Sequence, residues 1–204
     1  MTRAALTGTA SLVALAAFGS TAQAGVLTRS ATDCADPELS QPYKPWGDKS
    51  YYKPVDGGDF ERGTDGWTLS GGAKVVAGDA SDRIGGAGES RSLQLPAGSS
   101  ATTPPVCVGL NEPTLRYFAR KNSGLLSTLT VSVQVQLELG GLWLTLPIGV
   151  DLGGSWHPSA PHLVVANLLP LLPPDRTAVR FKFAPLLGGS WQIDDVYVDP
   201  RNRA

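Results

Sequence analysis

Two histidines and a pair of adjacent aspartates are the side chains of this sequence best suited to acid–base or metal chemistry. His157 and His162 stand five positions apart, and no third metal ligand lies at a useful distance from them. Successive residues of a strand point to opposite faces, so we expect the carboxylates of Asp194 and Asp195 not to share one site. The sequence also contains no Gly-x-Ser-x-Gly, no His-Glu-x-x-His and no phosphate-binding glycine motif. It therefore predicts a protein that is not an enzyme.

Residues 1–24 have the pattern of a secretory signal peptide. Arg3 supplies the positive charge, residues 4–18 form an apolar stretch of small residues, and AQA at 22–24 is a cleavage site. The apolar stretch is shorter than the roughly 20 residues that span a bilayer. We therefore expect a secreted, extracellular protein without membrane insertion, whose mature chain begins at Gly25.

The two cysteines, Cys34 and Cys107, are predicted to form a disulfide bond. In an oxidising compartment an even pair of cysteines favours a bridge over free thiols. A metal site would need further Cys or His at ligand spacing, and a catalytic cysteine would need a local partner; the sequence offers neither. A bridge closing a loop of this length stabilises a fold by about 4 kcal/mol in the chain-entropy view.

The composition excludes some partners and favours one fold class. The formal net charge of −1 gives no electrostatic reason to expect nucleic acid or an anionic membrane as partner. A charged fraction of only 17%, together with 24 glycines and 16 prolines, points to a loop-rich all-β domain.

The clearest periodicity lies in residues 129–139, where apolar and polar side chains alternate strictly. Such a period of two predicts a half-buried strand. Gly140 and Gly141 suit a hairpin turn, and residues 142–146 would form the returning strand. Other short runs bring the expected count to about nine strands, in an antiparallel jelly-roll β-sandwich over residues 57–198 followed by a tail at 199–204.

The two ends of this sandwich are expected to meet. The first strand of the sandwich contains the large apolar side chains of Phe60 and Trp67, and residues 191–198 form the last strand. We expect these two strands to lie edge to edge, with Trp191 in the core.

Residues 25–56 show no period but carry four aromatic residues. We expect an irregular arm, held by Cys34 and laid over the sandwich. For the strand at 114–120, either Leu115 and Tyr117 or Arg116, Phe118 and Arg120 would face outward.

Five short motifs carry a family resemblance. They are GDFE at 58–61, GW at 66–67, Gly88 with SLQL at 92–95, VRFKF at 179–183 and WQIDDV at 191–196. In this order they resemble the galactose-binding-like jelly rolls, particularly the carbohydrate-binding modules of secreted glycosidases. The resemblance covers roughly residues 57–198. The arm that precedes it resembles instead a set of small secreted bacterial proteins with no assigned activity.

The resemblance implies a structural calcium ion where the first and last strands meet. By position, Glu61 and Asp195 would be its side-chain ligands, and backbone carbonyls near Asp59 and in the loop 85–88 would complete the site. Calcium binds about six to eight hard oxygen atoms, so this donor set is chemically suitable. The alternative is that Glu61 caps a turn and Asp195 pairs with Arg or Lys, with no metal present.

The resemblance also implies a sugar-binding surface with exposed aromatic rings, because the apolar face of a pyranose packs on a ring while its hydroxyls need polar neighbours. The expected ligand contacts are Trp156, His157, Trp143, Tyr117, Gln134, Gln136 and Glu138. Trp156, in a glycine-rich loop beside His157, is the first candidate. The alternative is that these aromatic rings are buried in the core.

The leading hypothesis from the sequence is a secreted, non-catalytic module that binds carbohydrate or another cell-envelope component. A structural or protein-interaction sandwich without a sugar site is the second, and a glycan-active enzyme the third. Exposure of at least one candidate ring among polar side chains would favour the first of these.

Overall fold

Alternating apolar residues build two antiparallel sheets that pack face to face, as the sequence predicts. The computed structural model describes residues 34, 38–80, 84, 86–109, 111–137, 141–164 and 176–199. These residues contain a short 3-10 helix, Lys44–Trp46, and thirteen strands. The strands are β1 Lys53–Pro54, β2 Thr68–Ser70, β3 Lys74–Ala77, β4 Arg91–Leu95, β5 Ser100–Thr102, β6 Val106–Val108, β7 Thr114–Ser123, β8 Thr128–Gln136, β9 Trp143–Asp151, β10 His157–Pro158, β11 His162–Leu163, β12 Thr177–Leu186 and β13 Ser190–Asp199.

The first sheet has seven strands and the second has six. In the seven-stranded sheet the order is β10-β7-β13-β4-β3, with β1 paired to β13 and β11 paired to β7. In the six-stranded sheet the order is β2-β5-β12-β8-β9, with β6 also paired to β12. All the strand pairs are antiparallel. Three of the thirteen, β1, β10 and β11, are pairings of only two residues each, which leaves ten longer strands against the predicted count of about nine.

The main core lies between the sheets and follows the alternation read from the sequence. Every second residue of β8 is buried, and so is every second residue of the paired strand β12. Phe60, Trp67 and Trp191 are also buried there, as predicted, with the Phe60 and Trp67 ring centroids 5.0 Å apart. Burying side chains of this size supplies most of the favourable free energy of folding.

A second, aromatic core covers the outer face of the seven-stranded sheet. Tyr43 and Tyr52 of the arm are buried against Phe118 and Tyr197, and the Tyr43 ring stacks on Phe118 with centroids 5.4 Å apart. The Arg116 guanidinium lies 3.8 Å from the Tyr43 ring centroid. The arm is therefore laid over the sandwich as predicted. The prediction that one of the two sets of side chains on β7 would face outward was wrong, because one set faces the main core and the arm covers the other face of the strand.

The disulfide Cys34–Cys107 is present, with its two Cα atoms 5.7 Å apart, as predicted. It joins the arm to β6. Among the described residues, no helix has the length and hydropathy needed to cross a membrane. The predicted signal peptide, Gly85, Glu138 and residues 200–204 lie outside the described residues. Asp199, assigned to the tail, belongs to β13.

The two ends of the sandwich meet at one point rather than along whole strands. The Val55 N–H donates to the Val196 carbonyl at 2.9 Å, and the Val196 N–H donates to the Gly58 carbonyl at 3.2 Å. The strand that follows Trp67, however, pairs with β5 in the six-stranded sheet. The prediction that this strand lies beside the last one was therefore wrong; the turn before it makes the contact.

Candidate ligand face and candidate cation site

The outward side of the six-stranded sheet is polar across its central strands. Because Val131, Val133 and Phe181 are buried, their neighbours along β8 and β12 point away from the core. We call this surface the outer sheet face. Its central residues are Thr130, Ser132, Gln134 and Gln136 on β8, Trp143 and Thr145 on β9, and Arg180 and Lys182 on β12, all at least partly exposed.

Strand register brings these side chains into rows that run across the sheet. Gln134 lies opposite Arg180 on one side and opposite Thr145 on the other. Its Nε2 atom donates to the Thr145 hydroxyl at 3.3 Å. Lys182 lies opposite both Ser132 and Thr102. Since neighbouring strands are about 4.8 Å apart, each row is a close series of hydrogen-bonding groups.

Trp143 lies at the edge of this face, opposite Gln136. The Arg180 guanidinium carbon is 4.3 Å from the centroid of the Trp143 ring, a cation–π contact. One side of the indole is therefore covered by a positive charge. The structure thus brings together three of the predicted ligand residues, Trp143, Gln134 and Gln136, and adds Arg180 to them.

Trp156 and His157 lie apart from this face, beside the other sheet. β10 pairs with β7, and the partly buried Trp156 packs against the aromatic core, with the Arg120 guanidinium carbon 5.2 Å from its ring centroid. The His157 Nε2 atom is 3.2 Å from the Asp151 carboxylate. The hydrogen bond to Asp151 raises the pKa of His157 above its usual value. The predicted ligand set is therefore split between two places.

Tyr117 is not on a surface, in contrast to the prediction. Its side chain is fully buried, in the main core, and its hydroxyl is 3.1 Å from the His162 Nε2 atom. Burial raises the pKa of Tyr117 and lowers that of His162. The prediction of Tyr117 as a surface ligand contact was wrong, because β7 presents Tyr117 to the space between the two sheets.

Asp195 is the centre of a buried acidic region at the point where the two ends meet. Its φ of 51° lies in the left-handed region, and the pairing of β13 with β7 is irregular between Asp194 and Tyr197. The Asp195 side chain is 2% exposed, and its Oδ2 atom has no hydrogen-bond partner among the described residues. Burial, and then the negative charge of Glu89 and Asp59, raise the pKa of Asp195 to about 8.

Asp194 shares this environment. Its carboxylate accepts hydrogen bonds from the Ala80 N–H at 2.9 Å and from the Asp195 N–H at 3.0 Å. Burial and the charge of Asp195 raise the pKa of Asp194 to about 9. The strand is irregular at these two aspartates, because the left-handed residue interrupts the alternation, and Asp195 rather than Asp194 lines the adjacent pocket.

The chemistry of this region suits a hard cation. A pocket of about 240 Å³ opens here, lined by residues that include Gly57, Asp59, Glu89 and Asp195. An unpartnered buried carboxylate oxygen and surrounding acids are the donors that calcium prefers. In the described part of the chain, no group of three or more His, Cys, Asp or Glu side chains stands in ligand geometry. Backbone carbonyls would therefore have to supply much of the shell.

Glu61 has a structural role in the same region. Its Oε1 atom accepts hydrogen bonds from the N–H groups of Ser90 and Arg91, both at 2.7 Å. Its Oε2 atom accepts one from the Ser90 hydroxyl at 3.3 Å. Glu61 therefore ties the opening turn to the start of β4, which corresponds to the capping alternative. The other alternative, a salt bridge from Asp195 to Arg or Lys, is not found among the described residues.

Sequence reasoning noted Arg180 and Lys182 on one side of their strand but did not place them in the site. Only the register of β12 against β8 and β5 reveals that they lie among the polar residues of the outer sheet face. Glu89 was missed because it follows a glycine-rich loop without strand periodicity.

No protein-family model matches the sequence, and no curated protein matches it. Among solved structures, the C-terminal family 22 carbohydrate-binding module of Clostridium thermocellum Xyn10B aligns with a TM-score of 0.48 and 18% identity over 76% of this chain and 98% of that chain. The family 11 module from Clostridium thermocellum aligns with a TM-score of 0.41 and 14% identity over 75% and 98%.

A third solved structure, TmCBM61 in complex with β-1,4-galactotriose, aligns with a TM-score of 0.41 and 19% identity, covering 72% of this chain and 97% of that chain. With TM-scores below 0.5, these similarities carry no argument about what this chain binds. The enzymatically active domain of bacteriophage CBA120 tailspike protein 4 also aligns, with a TM-score of 0.45 and 16% identity over 72% of this chain and 21% of that chain. The predicted antiparallel β-sandwich is confirmed by the two sheets of this chain.

Proposed function

We propose that this protein is a secreted, non-catalytic module that binds carbohydrate on its outer sheet face. The observation that carries the proposal is the row of hydroxyl, amide and guanidinium side chains held in cross-strand register there, from Thr145 through Gln134 to Arg180. Sugar hydroxyls both donate and accept hydrogen bonds, and amide and hydroxyl side chains can serve them in both roles. Residues placed on strands hold such groups more rigidly than loops do.

The choice of face follows from what covers the other one. The arm residues Tyr43 and Tyr52 bury part of the outer surface of the seven-stranded sheet. On the six-stranded sheet, by contrast, the alternate residues of β8 remain partly exposed along the whole strand. A polymeric ligand needs an accessible strip of this kind, and the described chain leaves it accessible there.

Calcium enters the proposal as a structural ion rather than as part of the ligand site. Asp195 and Asp59 would hold it by their side chains, together with backbone carbonyls near the opening turn. Bound calcium would supply positive charge that offsets the repulsion among the buried acids. Its expected effect is on stability, and binding would depend on it only through the fold.

A second candidate function, a protein-interaction sandwich, is favoured by one observation. Several leucines at or beyond the ends of strands are at least half exposed. They are Leu125, Leu126, Leu152, Leu186 and Leu187. Lys121 donates hydrogen bonds to the carbonyls of Leu125 and Leu152, and Ser127 donates one to the Leu186 carbonyl. Apolar side chains gathered in this way often mark contact surfaces. Leu186 ends β12 on the same side as Arg180 and Lys182, so this surface adjoins the outer sheet face. Leu125 and Leu126 lie before β8, outside the strands, and variants of these two residues test this function separately.

The test is a glycan array probed with the mature protein, once with calcium and once with a chelator. We expect binding to at least one class of polysaccharide, and about a tenfold loss of affinity for Gln134→Ala, equivalent to about 1.4 kcal/mol. Gln94→Ala, a partly buried glutamine on β4 of the other sheet, is the matched control. Absence of binding in both conditions, or equal effects of the two variants, would refute the proposal.

A further inference from the structure

We infer that the carbohydrate recognised by the outer sheet face carries carboxylate groups. This inference rests on the proposed function and specifies its ligand class. It comes from two cations, Arg180 and Lys182, which lie two residues apart on the same side of β12. A strand rises about 3.3 Å per residue, so the backbone positions of the two residues are about 7 Å apart along the sheet.

The two positive charges have no acidic partner in the described chain. The ion pairs there join Arg116 to Asp48, His157 to Asp151, and Arg176 to Glu112. On the described strands of the six-stranded sheet, Asp151 is the single acidic residue, and it is buried. An anionic ligand would therefore meet two charges that the described residues leave without an acidic partner.

Arg180 is held by an aromatic contact. Its guanidinium carbon lies over the Trp143 ring, 4.3 Å from the centroid, so the ring supports the guanidinium from one side. A guanidinium edge matches the two oxygens of a carboxylate and binds them through parallel hydrogen bonds. Trp143 thus acts as a positioning residue for Arg180, rather than as a bare platform for a sugar ring.

Lys182 provides a second contact point of a different kind. In the strand register it lies between Ser132 on β8 and Thr102 on β5, so a hydroxyl-bearing residue stands on each side of it across the sheet. An ammonium group attracts an anion without the planar geometry of a guanidinium. The pair therefore suits a polymer in which carboxylates recur and hydroxyls lie between them.

The test compares acidic polysaccharides with their own neutral derivatives. Polygalacturonate, alginate and hyaluronate are each measured beside the carboxyl-reduced form by affinity electrophoresis and calorimetry. We expect at least one carboxylated polymer to bind about tenfold more tightly than its reduced form. This preference should shrink as salt is raised from about 0.05 M to about 0.5 M, because ions screen exposed charges.

Variants assign the preference to the two cations. Arg180→Gln and Lys182→Gln should each lower affinity for the carboxylated polymer about fivefold, and by much more than affinity for the reduced form, whereas Lys74→Gln, at an exposed position of β3 in the other sheet, should change neither. Trp143→Ala should match Arg180→Gln, add nothing in the double variant, and be rescued by Trp143→Phe. Thermal midpoints are measured for each variant to verify folding.

The outcomes separate the inference from the proposed function. Equal binding of carboxylated and reduced polymers, or binding of neutral array glycans alone, overturns the inference and leaves the proposed function standing. Binding to a sulfated polymer such as dextran sulfate, in preference to every carboxylated one, also overturns it. If no polysaccharide binds in any arm, the proposed function itself fails.

Discussion

The Oδ1 atom of Asp194 accepts a hydrogen bond from the backbone N–H of Asp195, at 3.0 Å, inside a region rich in acids. Burial raises the pKa values of the two carboxyl groups, to about 9 for Asp194 and about 8 for Asp195. Both groups are therefore easier to protonate in the folded protein than in the unfolded chain. This difference makes stability depend on pH and on cations.

The first prediction concerns that pH dependence. A raised pKa in the fold contributes stability that is complete below the ordinary carboxyl pKa of about 4 and is lost as pH rises through the folded value. In chelator, we therefore expect the thermal midpoint to fall between about pH 4 and pH 9. Calcium at about 100 times its dissociation constant should restore about 2.7 kcal/mol, or roughly 5–10 °C, at the alkaline end. Scanning calorimetry with and without calcium measures this, and equal curves would contradict it.

The second prediction separates two acids of the region. Glu61→Ala removes an acceptor of two backbone N–H groups and should lower the free energy of unfolding by about 2 kcal/mol, with or without calcium. Asp195→Asn should instead abolish the calcium-dependent gain and reduce the alkaline loss in chelator. Denaturant unfolding in both conditions tests the pair. A calcium gain that survives Asp195→Asn would exclude Asp195 as a ligand.

The third prediction concerns Gly149, on β9. A Cβ atom added there would lie 1.9 Å from the Nδ1 atom of His162, which is itself held by Tyr117. Gly149→Ala should displace the imidazole and destabilise the fold by about 2–3 kcal/mol, as overpacking does. Gly88→Ala is the control, because an added Cβ there meets nothing within 4 Å. Similar midpoints for the two variants in urea would contradict the prediction.

The fourth prediction concerns the disulfide. Cys34 and Cys107 are 73 positions apart, so the bridge restricts a long loop of the unfolded chain. The double substitution to serine should lower the free energy of unfolding by about 4 kcal/mol in the chain-entropy view. Urea unfolding of the oxidised protein, the reduced protein and the variant measures it. The reduced protein and the variant should agree, and no loss in either would show that the arm is held by packing alone.

The fifth prediction concerns His157 and Asp151. Their hydrogen bond raises the pKa of His157; for Asp151, burial acts upward, but hydrogen bonds from His157 and the Gly153 N–H lower the pKa overall. The contribution of His157 to stability is thus complete below about pH 6.5 and is lost as pH rises through its raised pKa. The contribution of Asp151 to stability is lost only in acid. His157→Gln should cost up to about 1 kcal/mol at pH 5.5 and less at pH 9. Gln94→Ala should show no such pH dependence; a constant difference for His157→Gln would refute the pairing.

Much of the sandwich could be predicted because its strands bury one face. The strand predicted from the alternation corresponds to β8, Thr128–Gln136, and the predicted returning strand corresponds to β9. The predicted returning strand was too short, since β9 continues through Pro147 and Gly149 to Asp151. Proline is tolerated because β9 is an edge strand, where an N–H can be absent without breaking a ladder.

The candidate sites were harder to predict because they depend on packing between distant segments. A tyrosine at this position of a strand could equally face solvent; Tyr117 is buried because the other sheet packs against its side of β7. Arg116 and Phe118 are buried by the arm, and the arm has no periodicity from which this contact could be predicted. The alternation rule failed at Asp194 and Asp195 because a left-handed residue inside a strand leaves no hydrophobic pattern.

The aromatic contact between the arm and β7 has a practical consequence for protein production. A recombinant fragment trimmed to residues 57–198, the segment that the family resemblance covers, would uncover Phe118 and Tyr197 and lose the bridge from Cys34. Its newly wetted rings would favour self-association during purification. A fragment that begins before Cys34 retains the arm, so these rings stay covered.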